Sequence, residues 1–156
     1  MPSERSARPQ SVLFACNMNA VRSPMAAGLL QQMFGSSIAA ASVGVEPGDE
    51  LDPFAVAAMK EIGIDISQHR PISFEGYQDL EGLDFDLIVT LTPGAHHKAL
   101  DFAERTPGAA VEYWQMPDPT GVEGNREQRL DAYRQLRDQL TANIRARFDS
   151  STGGNE

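Results

Sequence analysis

The segment Ser11-Val12-Leu13-Phe14-Ala15-Cys16-Asn17-Met18-Asn19-Ala20-Val21-Arg22-Ser23-Pro24-Met25-Ala26 decides how the rest of the chain is read. Val12 to Ala15 form a short apolar run of the kind that fills a buried strand. Ala26, Leu29, Leu30 and Met33 then recur at the spacing of a helix face. Between them lies a loop of polar and small residues that closes on Arg22-Ser23-Pro24. Proline fits the first helical turn, where its missing N–H costs nothing. The reading is strand, tight loop, helix, with Cys16, the single cysteine of the 156 residues, where the strand ends.

The pattern is cysteine, five residues, arginine, serine, and each fixed element answers a chemical need. Five intervening residues, Asn17, Met18, Asn19, Ala20 and Val21, suffice to curl the backbone so that successive N–H groups converge on one anion. Arg22 adds a planar fork of donors matched to two oxygens of a tetrahedral oxyanion, which lysine meets only as a point charge. A guanidinium and a helix N-terminus beside Cys16 favour the thiolate, the nucleophilic form. Ser23 is placed to cap the helix and to reach the sulfur. A buried core cysteine is the alternative, and the commoner fate of a free thiol. Against it, an Arg-Ser pair at that one offset arises by chance on the order of a few times per thousand at ordinary residue frequencies, before the flanking strand and helix are counted.

Outward from this unit, strand and helix alternate. Strands are predicted over residues 11–15, 38–43, 85–91 and 109–114. The third, with Leu87-Ile88-Val89, is the uninterrupted apolar type expected where both faces are covered. Helices are predicted to start near Ser23, Pro53, Pro93 and Gly124. Val56, Met59 and Ile62 mark the buried stripe of the second, and Leu130, Tyr133, Leu136, Leu140, Ile144 and Phe148 that of the last. The less regular stretch 69–83 has room for a short helix after Ser73. Such alternation implies an α/β fold, a flavodoxin-like four-stranded parallel sheet of order 2-1-3-4 with helices on both faces. Ligands of such sheets bind beyond the carboxyl ends of the strands, where Cys16, Ser42 and Asp118 would converge.

Composition sets the frame. A chain of this length with 41% hydrophobic residues predicts one domain, over residues 11–148, between polar tails at 1–10 and 149–156 expected to be disordered. The net charge of -9 argues against nucleic acid and anionic membrane surfaces as partners, so any anion site must be local. One cysteine allows no intramolecular disulfide, and the N-terminus lacks the apolar core of a signal peptide. A cytoplasmic location is the expectation. His69, His96 and His97 show no ligand spacing, so they read as surface or capping residues and no metal or cofactor is called for. The run from Arg126 to Arg147 reads as a solvated helix face, because Glu127, Asp131 and Asp138 interrupt its positive charge.

A thiolate that displaces an oxygen leaving group from such an oxyanion calls for an acid to protonate that oxygen. Two Asp-Pro pairs are present. Asp52-Pro53 precedes a helical pattern and reads as a cap followed by proline at the first helical position. Asp118-Pro119 is followed by Thr120-Gly121-Val122-Glu123-Gly124, which is loop chemistry, although a turn or another cap would also use aspartate there.

CNMNAVRSPMAAGLL together with the downstream Asp118-Pro119 resembles the low-molecular-weight protein-tyrosine phosphatase family, which also contains arsenate reductases. The likeness runs over nearly the whole chain with both motifs in order. It implies a metal-independent phosphatase working on phosphotyrosine proteins or aryl phosphates through a cysteinyl-phosphate. Cys16 would be the nucleophile, and Arg22 with the loop amides from Asn17 to Arg22 the phosphate cradle. Asp118 would be the general acid, Ser23 the group that stabilises the departing sulfur. Asn19 matches a loop asparagine that holds the cradle in shape, and Ser42 the serine that hydrogen-bonds it.

Three departures bear on function. Val21 stands where many relatives carry a second cysteine, Met18 where many carry glycine, and Thr120-Gly121 where aromatic residues often grip a phosphotyrosine ring. Arsenate reduction with an external thiol is the nearest alternative. Trp114 and the loop 120–124 have some likeness to the reductase branch, but the chain has no further cysteine for a disulfide relay. A non-catalytic module that binds a phosphorylated partner is the other, yet binding alone needs neither thiol nor acid.

Overall fold

The computed structural model describes residues 9–82 and 84–149. Most of the two predicted tails lies outside these residues. Gln10 does not: its N–H donates to Asp86 Oδ2 at 2.7 Å and its carbonyl accepts from Ala39 N at 2.9 Å. Its backbone is therefore tied to the neighbouring chain rather than belonging to a free tail.

Four strands, β1 (Ser11–Cys16), β2 (Ala39–Gly44), β3 (Leu87–Thr90) and β4 (Ala110–Tyr113), pair in parallel in the order β2-β1-β3-β4. This is the predicted doubly wound sheet. Each observed strand is within one or two residues of its predicted span at either end. Along β1 the side chains alternate between two cores. Val12, Phe14 and Cys16 face α1 (Arg22–Phe34), α2 (Pro53–Lys60) and α5 (Arg126–Ile144), whereas Leu13 and Ala15 face α3 (Phe74–Glu81) and α4 (Pro93–Ala103). Removing a side chain such as Phe14 from this close-packed interior would cost about 3–5 kcal/mol.

The helix boundaries have local causes. Asp52 caps α2 by accepting from Phe54 N at 2.8 Å, and Pro53 takes the first position, as its sequence context predicts. Ser73 caps α3, the short helix expected after it, and Thr92 caps α4. Asn125 and Gln128 close a reciprocal capping box on α5, which therefore starts at Arg126 rather than at Gly124. Ile62 is a second correction, exposed and beyond the end of α2 where the chain has already turned. The α5 pattern continues through one wider turn, Arg145–Asp149, that still buries Phe148. Its solvated face is partly tied down, since Arg137 reaches the Ala58 carbonyl of α2 and Glu61 at the end of that helix. Among the described residues no helix is long and apolar enough to cross a membrane.

Candidate active site

The loop between β1 and α1 is held from outside, carbonyl by carbonyl. Val45 N donates to Cys16 O at 3.0 Å, Glu46 N to Asn17 O at 2.8 Å, Gly48 N to Met18 O at 2.9 Å and Asp52 N to Ala20 O at 3.1 Å. Met25 N takes Val21 O, and His69 Nε2 lies 3.3 Å from Asn19 O. In a trans peptide the C=O and the next N–H point opposite ways. Carbonyls turned outward therefore turn the following amides inward, the arrangement by which backbone nests meet anions. The segment after β2 comes this close because β2 ends in Gly44, where a Cβ would stand 2.8 Å from Asn17 O and from Asn19 N.

Asn19 locks the curve. Its φ of 56° is left-handed, tolerable for asparagine, and its buried side chain makes four hydrogen bonds. Nδ2 donates to Ser23 Oγ at 2.8 Å and to Ser42 Oγ at 2.9 Å, while Oδ1 accepts from Ile72 N at 2.9 Å and faces His69 Nε2 at 3.0 Å. Ser42 is thus where the family likeness puts it. His69 is not the surface or capping residue expected: it is half-buried, and because both Nε2 partners are oxygens, that nitrogen carries the proton. Burial lowers its pKa below the usual 6.5, outweighing the opposite pull of the Asn19 hydrogen bond, so the ring is neutral at neutral pH. His96 is also engaged, with Nδ1 2.9 Å from Thr90 Oγ1, whereas His97 is exposed.

Ser23 does not cap its helix. Val21 occupies the cap position of α1, with no side-chain cap bond, and Ser23 is turned into the interior. Its Oγ lies 2.9 Å from Cys16 Sγ and 3.3 Å from Val43 O. One hydroxyl hydrogen therefore has two acceptors, and a charged sulfur is the stronger.

A cavity of about 160 Å³ opens over Cys16, bounded by loop residues, Arg22, Asp52, Asp118 and Thr120. The Arg22 guanidinium donates to Met116 O at 3.3 Å and stands 4.0 Å from Asp118 Oδ2. Asp118 precedes a single 3-10 turn, Pro119–Gly121, and its Oδ1 accepts from Thr120 N at 3.0 Å and Thr120 Oγ1 at 2.7 Å. It is therefore at once the loop aspartate at the cavity and a cap, the two readings its sequence context left open. Partial burial pushes its pKa up, but the Thr120 hydrogen bonds and the Arg22 charge prevail and hold it below the ordinary aspartate value.

Asp52 does more than cap. Its Oδ2 accepts from Tyr133 OH at 2.7 Å, and it forms part of the cavity wall. Burial first, then the Asp52 carboxylate, drives the Tyr133 pKa far above its usual value, so the phenol stays a donor. At the lip, Thr92 Oγ1 donates to Asn17 Oδ1 at 2.8 Å. Reasoning from sequence missed His69, Tyr133 and Thr92 as site residues. His69 sits in a stretch without periodicity, and the other two carry ordinary core and cap signals.

Comparison with known proteins is consistent with this geometry. Residues 11–150 match the family described as low molecular weight phosphotyrosine protein phosphatase. The chain is 33% identical to an arsenate reductase of Bacillus subtilis (strain 168), covering 83% of this chain and 88% of that one. It is 35% identical to an arsenate reductase of Halalkalibacterium halodurans, with coverages of 86% and 91%. A solved arsenate reductase in its phosphate-binding state superposes with a TM-score of 0.72 at 26% identity, over 90% of this chain and 98% of that one. A tyrosine phosphatase of Erwinia amylovora shares the fold, with a TM-score of 0.70 at 20% identity and coverages of 93% and 94%.

Proposed function

This chain belongs to the low molecular weight phosphotyrosine protein phosphatase family, and we propose that it is a metal-independent phosphatase that cleaves phosphotyrosine or other aryl phosphates through a cysteinyl-phosphate on Cys16. The observation that carries this reading is the meeting of Cys16, Arg22 and Asp118 around one cavity. The Cys16 thiolate attacks phosphorus, and the P–O bond to the leaving group breaks. Arg22 and the inward amides from Asn17 to Arg22 take the charge on the equatorial oxygens, which is why no metal is required.

Asp118 protonates the departing oxygen. In the free protein its carboxylate is held ionised, so it takes up a proton from solvent as substrate binds: a bound dianion offsets Arg22 and makes a second negative charge beside it costly. In the second half, water attacks phosphorus, Asp118 accepts its proton, and the S–P bond breaks. Ser23 donates to the sulfur as negative charge returns to it.

Arsenate reduction is the second reading, favoured by the 33–35% identity to arsenate reductases. There the same thiolate would attack arsenate, and two equivalents of an external thiol would supply the two electrons and leave as a disulfide. A chain with one cysteine needs that outside donor. Assaying the pure protein side by side for aryl phosphate hydrolysis and for arsenate-dependent thiol oxidation, with Cys16→Ser as control, separates the two. Phosphate release without added thiol is the expected result. Thiol-dependent arsenite formation with no phosphate release would transfer the assignment to the second reading.

A further inference from the structure

Five arginines of the described chain, Arg22, Arg105, Arg134, Arg137 and Arg147, have a carboxylate within ion-pair distance. Arg126 and Arg129, on the first turn of α5, make no such pair among the described residues, although the protein as a whole carries a charge of -9. Both are exposed, and both guanidinium groups lie over the same ring. The guanidinium carbons of Arg129 and Arg126 lie 4.8 Å and 5.8 Å from the centroid of Phe54. A cation–π contact uses the charge of a guanidinium and consumes none of its N–H donors, which remain for a planar acceptor.

The place of this pair gives it meaning. Phe54 packs on Tyr133 with ring centroids 5.3 Å apart, and the Tyr133 hydroxyl bonds Asp52, which forms part of the cavity wall over Cys16. Arg126 and Arg129 are thus joined to the cavity wall through Phe54, Tyr133 and Asp52 in turn. The inner cation, Arg22, belongs to the cradle. Arg126 and Arg129 do not line that cavity and stand outside the wall that Asp52 forms.

We propose that Arg126 and Arg129, fixed on Phe54, form a clamp for a second anionic group on the substrate, the carboxylate of an acidic residue next to the phosphorylated side chain of a peptide. This deepens the phosphatase reading and rests on it. The two cations would offset the repulsion that a net charge of -9 otherwise imposes on an acidic substrate, and guanidinium forks suit a carboxylate better than an ammonium would.

The test uses two phosphotyrosine peptides identical except that glutamates beside the phosphotyrosine are replaced by glutamines. Turnover by the wild-type protein and binding to Cys16→Ser protein are both measured, against Arg126→Gln/Arg129→Gln and, as a control, Arg70→Gln. The glutamate peptide should be preferred roughly fivefold in kcat/KM and in affinity, the scale of about one kilocalorie per mole from exposed ion pairs. That preference should shrink with added salt and fall to about one in the double variant, while the Arg70→Gln protein keeps it. Hydrolysis of a small aryl phosphate without a second anion should be the same in the double variant. No preference in the wild type, or one that survives in the double variant, overturns the clamp. Absence of aryl phosphate turnover would instead strike the phosphatase reading, and the binding arm still decides on the clamp.

Discussion

Tyr133 donates its hydroxyl proton to Asp52 Oδ2 across 81 residues of sequence, at 2.7 Å, on the wall of the cavity that holds Cys16. The other oxygen of the same carboxylate caps α2 through Phe54 N. One side chain therefore joins the start of α2, the last helix and, through its own backbone N–H on Ala20 O, the cradle.

Asparagine caps nearly as well as aspartate, but it has one oxygen where Asp52 uses two. Asp52→Asn should cost about 1–2 kcal/mol, more than a cap change alone, because the Tyr133 hydrogen bond to a charged acceptor is also lost or weakened. Tyr133→Phe should cost a similar amount, and the double variant clearly less than the sum. Urea melts of the three proteins give the coupling directly. Strictly additive values would mean that the two groups act independently.

Cys16→Ser should abolish aryl phosphate turnover while leaving phosphate binding, since the inward amides and Arg22 remain. Arg22→Lys should be severe for turnover as well, because the fork geometry is lost even though the charge persists. Iodoacetate should alkylate Cys16 in the wild-type protein, and inorganic phosphate should protect it. Alkylation indifferent to phosphate would show that the loop is no cradle for the anion above the sulfur.

Asp118→Asn should slow hydrolysis most for esters whose leaving groups need a proton and least for phenolates that depart unaided, steepening the plot of rate against leaving-group pKa. Thr120→Val removes one of the bonds that hold the Asp118 carboxylate ionised, so its pKa should rise. The limb on which activity falls with increasing pH should then move to higher pH. An unchanged slope for Asp118→Asn, or no movement of that limb for Thr120→Val, would place the acid elsewhere.

His69 gives a pH signature of stability. Its pKa is lower folded than unfolded, so the unfolded chain binds more protons in that window. The neutral ring's contribution is present in full above about pH 6.5 and is lost as pH falls below it toward the folded value. His69→Gln, which keeps a donor for Asn19, should flatten the stability profile in that interval. Asn19→Ala should be worse at every pH, by about 2–4 kcal/mol, because it leaves Ser42 and the Ile72 N–H without a partner and His69 with the Asn19 carbonyl alone. Identical pH profiles for wild type and His69→Gln would show that the ring does not titrate differently on folding.

The sequence by itself determined the local units and their order. Apolar runs at strand length, helical stripes, Asp52-Pro53 and the spacing from Cys16 to Arg22 are properties of neighbouring residues, and they specified the parallel sheet and pointed to the candidate anion loop and the candidate nucleophile. Ser23 was given two tasks, a helix cap and a reach to the sulfur, and only the second is met, because the loop turns its side chain inward while Val21 takes the cap position. What shapes the cradle comes from further away. The amides of Val45, Glu46, Gly48 and Asp52 take its carbonyls, while His69 and Ile72 hold Asn19. Backbone donors have no residue-specific signature, so such partners are invisible until the chain has folded. The same holds for Asp52 and Tyr133, each of which satisfies a local rule completely, as a cap and as a core residue. Their contact exists because packing α2 against α5 brings a buried hydroxyl that must find an acceptor to a carboxylate with one oxygen to spare.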